Sequence, residues 1–188
     1  MNRILLLIVF LLVKYLYLPL NKRKSKYYWK IKFDDYIPFI SIFIIPYAGY
    51  FFYIPITVVL LWNTKYINSF LITYTISYIL AELFWYFVPN GVKRYPISKK
   101  DIFSRFTRYI HLHDDDTNGF PSAHVISSLL CSYFLSLVFP QNIILIWTIN
   151  FFICISTVLV KQHYVLDILG GILFSLVSIF LTGLFITI

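Results

Sequence analysis

Six apolar stretches, separated by two polar loops and three short links, govern what this chain can become. They run over roughly 4–20, 37–62, 66–88, 122–139, 142–160 and 164–187. The first is short and is interrupted by Lys14; a signal peptide is its rival reading, but no small-residue cleavage site follows. The other five, at about 17–25 residues, are long enough to cross a hydrocarbon core of about 30 Å. The chain is 60% hydrophobic and only 13% charged, whereas a soluble domain carries about a quarter charged residues. The excess apolar surface must face something other than water, and lipid is the simple answer. The expected architecture is all-α: an integral membrane six-transmembrane-helix bundle, forming a single domain over 1–188. Its core is expected over roughly 35–188, preceded in 1–34 by a first span and a basic loop. Pro38, Pro46 and Pro55 mark the second stretch as the one to kink.

The polar links are uneven. With six crossings, loops 21–36 and 89–120 and link 161–163 share one membrane face. That face carries thirteen basic residues: Lys22, Arg23, Lys24, Lys26, Lys30, Lys32, Lys93, Arg94, Lys99, Lys100, Arg105, Arg108 and Lys161. The other face has Arg3 and Lys65. The asymmetry supports the segmentation and, as a topology rule, points this face to the cytoplasm. Within loop 89–120, apolar residues at 102, 103, 106, 109 and 110 space out a short amphipathic helix for the membrane surface. The net charge of +8 suits anionic lipids or an anionic substrate, and no nucleic-acid-binding motif accompanies it. Cys131 and Cys154 lie inside apolar stretches and read as small core residues.

Chemistry gathers at the ends of these stretches. His163 and Asp167 stand four apart, so a helix puts them on one face. The carboxylate then holds one ring nitrogen and leaves the other free to attack. His124, in FPSAHV, opens the fourth stretch. Ser122 and Ala123 just before it offer free N–H groups at a helix N-terminus, an anion-favouring position, and Ser122 can also cap. Arg94, in PNGVKRYP, carries a planar guanidinium suited to bidentate phosphate contact. Lys93, Lys99, Lys100 and Lys161 offer further positive charge. A nucleophile, an acid and cations on one face are what phosphoryl transfer requires.

Three blocks make the chain resemble the type 2 phosphatidic acid phosphatase superfamily over roughly 35–180. Arg94-Tyr95-Pro96 is similar to its Lys/Arg block, Pro121-Ser122-Ala123-His124 to its Pro-Ser-X-His block, and Ser156 through His163 to Asp167 to its Ser-Arg…His-X-X-X-Asp block. The resemblance implies that His163 forms a phosphohistidine, that Asp167 orients it, and that His124 protonates the leaving oxygen and then activates water or an alcohol. It implies that Arg94, Ser122 and the Ala123 amide bind phosphate, and that no metal or other cofactor takes part. The implied substrate is a lipid phosphate or pyrophosphate, met in a multi-pass protein among membrane lipids. Many bacterial members of that family work on the outer membrane side, against the direction of the Lys/Arg count.

The departures are specific. Tyr95 separates Arg94 from Pro96, no Lys stands six residues before Arg94, and Thr157 occupies the arginine position of the third block. Lys161 is the candidate to supply the missing charge. With KQHYVLD and TNGFPSAH, these departures resemble the branch that includes inositol phosphorylceramide synthases, in which the same two histidines transfer a phosphoalcohol headgroup to a lipid hydroxyl. A non-catalytic membrane anchor that kept the fold is the third reading; the intact His124, His163 and Asp167 argue against it. Glu82 lies costly in the third stretch, to be paired or protonated. His111 and His113 are expected on a surface loop. Asp114, Asp115 and Asp116 lack the spacing of an acidic metal motif. Gly170 and Gly171 are expected where the last helix packs closely on a neighbour.

Overall fold

A computed structural model describes residues 2–186, so residue 187, the end of the sixth expected stretch, lies outside the described residues. The described residues form α-helices and no strand: α1 (Arg3–Tyr15), α2 (Tyr17–Asn21), α3 (Phe33–Tyr36), α4 (Ile44–Leu61), α5 (Ile67–Phe87), α6 (Ile102–His113), α7 (Ala123–Val138), α8 (Ile143–Leu159) and α9 (Val165–Phe185). Two isolated bridges, Tyr27 with Asn90 and Gly91 with Thr117, tie the polar loops together.

Five of these segments are long and apolar enough to cross a membrane: Arg3–Asn21, Ser41–Leu61, Ile67–Phe87, Pro140–Leu159 and Val165–Phe185. The fourth expected span falls short. α7 has 16 residues, about 24 Å at 1.5 Å per residue. The reason is its position: α4, α5, α8 and α9 all pack against it. Twelve of its residues are buried, so this helix meets protein rather than lipid and need not match the hydrocarbon thickness. Around it the outer helices turn Phe52, Val59, Phe87, Ile144 and Phe180 outward. Water penalises such a surface and a bilayer does not, as a multi-pass membrane protein requires.

The bundle interior mixes rings with small hydroxyls. Tyr50, Tyr74 and Tyr78 converge on Ser127. Thr73 bonds Thr182 across α5 and α9 at 2.9 Å. Small polar side chains of this kind let membrane helices approach and hydrogen-bond one another. Gly170 and Gly171 serve the same end: an added Cβ would meet the Phe120 ring at 2.3 Å or Val125 Cβ at 2.7 Å. Of the three prolines, Pro38 precedes α4 and Pro46 sits in its first turn, where a missing N–H costs nothing; only Pro55 is interior. α6 forms as its spacing predicts, with the Asp101 carboxylate accepting the Ser104 N–H at 2.9 Å. Phe103 and Ile110 pack onto Ile44, Tyr47 and Val160, while Ile102, Phe106, Tyr109 and Leu112 leave an exposed apolar stripe suited to an interface.

Candidate active site

The start of α7 is built by Ser122. Its backbone is extended and its hydroxyl accepts the Val125 N–H at 3.4 Å. The Ser122 N–H is not free, as the sequence led one to expect: it donates to the Asp167 carbonyl at 3.0 Å. That bond instead ties the first turn of α7 to the first turn of α9. The Ala123 amide remains in the first turn, whose N–H groups lack intrahelical partners. His124 follows, stacked on Tyr47 at 4.4 Å and leaning on Tyr50 at 4.3 Å between ring centroids. It is only 9% exposed, and among the described residues neither ring nitrogen has a hydrogen-bond partner.

The start of α9 brings the second histidine. The chain turns at Lys161, whose φ is +60°. The amides of Gln162 and His163 both donate to the Thr157 carbonyl, at 2.9 and 3.1 Å. Asp167 then closes the turn: one oxygen accepts the Tyr164 N–H at 2.8 Å and faces His163 Nδ1 at 3.2 Å. This holds the Nδ1 edge of the ring against the carboxylate and turns Nε2 away from it. Asp34 adds a second cap, accepting the Val165 N–H at 2.9 Å. The rings of His124 and His163 stand 5.6 Å apart, edge to face. Because the carboxylate sets the tautomer, Asp167→Asn is expected to lower turnover about a hundredfold or more with little change in KM, measured as steady-state phosphate release. A drop confined to KM would contradict the orienting role.

The cations are engaged with the protein. Arg94 donates to Gln162 Oε1 at 2.6 Å and to the carbonyls of Asp114 and Asp115. It stands beside the histidines but spends these donors clamping the 114–115 loop to the turn before His163. Lys161 Nζ donates to the carbonyls of Ile37 and Asp34, and burial lowers its pKa. Thr157 does not replace the family arginine: its hydroxyl turns back to the Cys154 carbonyl at 2.7 Å. The three aspartates diverge, Asp114 to Asn21 at 2.9 Å, Asp115 to Lys22 at 2.9 Å and Asp116 to Tyr28 at 3.1 Å. Among the described residues no three His, Cys, Asp or Glu side chains converge as for a metal ion. Glu82 buries one oxygen that has no hydrogen-bond partner among the described residues.

His111 corrects the surface-loop expectation. α6 presents its Nε2 to the Val160 carbonyl at 3.0 Å, and burial, helped by the Arg94 charge, pushes its pKa down to about 4. His113 lies exposed on the same helix, stacked on Tyr109. Asp34, Tyr47, Tyr50 and Gln162 were missed by sequence reasoning. Tyr47 and Tyr50 stand three apart in α4, a spacing that marks one helix face. Nothing local in the sequence points to Asp34 or Gln162.

Two cavities flank the histidine pair. One of about 430 Å³ opens on the His163 side, lined by Lys30, Asp34, Lys93, Arg94, Lys161 and Tyr164 among others. The other, about 570 Å³, reaches His124 from between α1, α2, α4 and α6, and its wall is mostly apolar and aromatic. Between them a void of about 10 Å³ touches Arg94, Ala123, His124, Gln162 and His163. The arrangement is two histidines facing one another, with a lysine- and arginine-lined chamber on one side and a mostly apolar one on the other.

The PAP2 superfamily profile matches residues 62–187, a span that contains all three blocks and both histidines. No curated protein and no solved structure matches the chain.

Proposed function

Because the chain belongs to the PAP2 superfamily, a group of phosphatases and phosphotransferases, we propose that it is a membrane enzyme that hydrolyses a lipid phosphate or pyrophosphate through a phosphohistidine. His163 Nε2 attacks phosphorus, the bond to the lipid oxygen breaks, and protonated His124 gives that oxygen its proton. Neutral His124 then takes a proton from water, which attacks the phosphohistidine and releases inorganic phosphate. The Ala123 amide and Arg94 hold the phosphate oxygens, Arg94 by exchanging its carbonyl partners for the substrate; Ser122 and Lys161 support the site from behind. This chemistry calls on no metal. The observation that carries the reading is the pair itself: one histidine tied to a carboxylate, and 5.6 Å away another buried with both nitrogens unpaired.

A second reading is favoured by the chamber of about 430 Å³ beside His163, roomier than one attacking water needs at about 30 Å³. It would admit a polyol, and the enzyme would then move a phosphoalcohol headgroup onto a lipid hydroxyl, as the departures at Tyr95 and Thr157 led one to expect. The purified protein, given labelled lipid phosphates in vesicles, decides. Hydrolysis yields free phosphate in step with the lipid alcohol; transfer yields a new phosphodiester. Neither product from a panel of lipid monophosphates, pyrophosphates and phosphodiesters would sink both readings.

A further inference from the structure

The proposed mechanism leaves the transferred phosphate short of donors. Thr157, at the arginine position, turns back to the Cys154 carbonyl, and Lys161 is held by the carbonyls of Asp34 and Ile37. Arg94 and one backbone amide remain for the equatorial oxygens, over which the charge of the transferred group is spread. The small void between the histidines offers two further groups. Asn118 and Gln162 both line it, beside Arg94, Ala123, His124 and His163. They are 4% and 5% exposed. Among the described residues neither Asn118 Nδ2 nor Gln162 Nε2 has a hydrogen-bond partner. Buried side-chain amides are normally paired, so two orphaned donors at one void point to a ligand rich in acceptor oxygens.

The orientation of Gln162 is set by its neighbour. A guanidinium only donates, so the atom that meets Arg94 Nη1 at 2.6 Å is the oxygen, and the nitrogen faces elsewhere. Arg94 spends Nη2 on the carbonyls of Asp114 and Asp115. Releasing those carbonyls frees Nη2 for phosphate while Nη1 keeps Gln162 in place. Asn118 is set by its backbone. Its φ is +54°, a conformation that glycine adopts at least cost. The turn around it is pinned without its side chain: the Val92 N–H donates to the Asp116 carbonyl at 2.9 Å, and the Phe120 N–H to Asn90 Oδ1 at 2.6 Å. An amide that the turn does not need is therefore held at the void. Asp114, Asp115 and Asp116 line the same void, but their carboxylates are bonded to Asn21, Lys22 and Tyr28 of the first polar loop. Burial also raises the pKa of Asp114, the direction that favours its uncharged form.

We propose that Asn118 Nδ2 and Gln162 Nε2 are phosphate-binding donors that stand in for the missing arginine. With Arg94 and the Ala123 N–H, these two neutral amides cradle the oxygens of the group that passes to His163. This rests on the reading of the histidine pair given above. The void of about 10 Å³ has room for about one water, so phosphate enters as Arg94 lets go of the 114–115 carbonyls.

Orthovanadate matches phosphate in size and takes up the five-coordinate geometry of the transfer. It is titrated calorimetrically into the full-length protein in detergent micelles, and turnover of a short-chain phosphatidic acid is measured alongside. Asn118→Gly removes one donor where glycine is at ease. Gln162→Glu keeps an oxygen on Arg94 and replaces the donor with an acceptor, and Gln162→Met removes the donor without adding charge. Each is expected to weaken vanadate binding about tenfold or more and to lower kcat/KM by a similar factor. Variants that keep the fold by circular dichroism and gel filtration, yet bind vanadate as tightly as the unaltered protein, would overturn the amide role and leave the histidine chemistry standing. An unaltered, folded protein that neither binds vanadate nor releases phosphate would overturn the histidine reading and this inference together.

Discussion

Replacing His163 with Ala is expected to lower phosphate release by about a thousandfold or more and to leave the fold intact. The large effect follows from the proposed mechanism, in which His163 alone takes the phosphoryl group. His124 is the proposed acid, it packs on Tyr47 and Tyr50, and among the described residues no carboxylate bonds its ring. The intact fold follows from what His163 does not hold. Asp167 still accepts the Tyr164 N–H at 2.8 Å, its carbonyl still accepts the Ser122 N–H at 3.0 Å, and Asp34 still caps Val165 at 2.9 Å. The joint between α7 and α9 therefore survives the change. Helical circular dichroism and gel filtration in detergent check the fold, and release of phosphate from a lipid phosphate checks the chemistry. Release at the unaltered rate would remove the nucleophile assignment.

His124→Asn separates the two half-reactions. With a lipid phosphate the leaving alkoxide needs a proton, so turnover falls about 10²–10⁴-fold, the ordinary worth of a positioned acid. With an aryl phosphate whose leaving group needs no proton, the first step proceeds and the second stalls for want of a base. A burst of phenol, stoichiometric with enzyme and followed by a slow phase, is the expected trace. Steady aryl phosphate turnover matching that of the unaltered protein would contradict the double role. Asn is smaller than His and leaves a gap between Tyr47 and Tyr50, so a modest loss of thermal stability accompanies the kinetic effect.

Most of the helices were legible because the signal for them is local. The stretch expected over 66–88 is a helix at Ile67–Phe87, and that over 142–160 one at Ile143–Leu159; hydropathy sets such ends directly. The shortness of α7 was not legible. Its residues are apolar because four helices surround it, and a residue facing protein is written with the same letters as one facing lipid. The histidines were legible for the same local reason: PSAH places His124 in a first helical turn, and the four-residue step joins His163 to Asp167. What surrounds them was not. Asp34 caps the His163 turn from 131 residues away, Gln162 meets Arg94 across 68, and His111 finds the Val160 carbonyl across 49. Such pairings belong to tertiary packing and leave no periodic trace. The Ser122 N–H illustrates the same limit: helix-start chemistry offered it to a ligand, and the neighbouring helix claimed it.

The central claim is that the phosphoryl group passes through His163. Rapid quench of His124→Asn with phosphorus-labelled aryl phosphate, followed by peptide mapping at neutral to alkaline pH, tests it most directly. The prediction is one acid-labile label per chain, on the peptide containing His163, and none after the further change His163→Ala. A label on another residue, or turnover of the aryl phosphate with no labelled protein at any time, would contradict it.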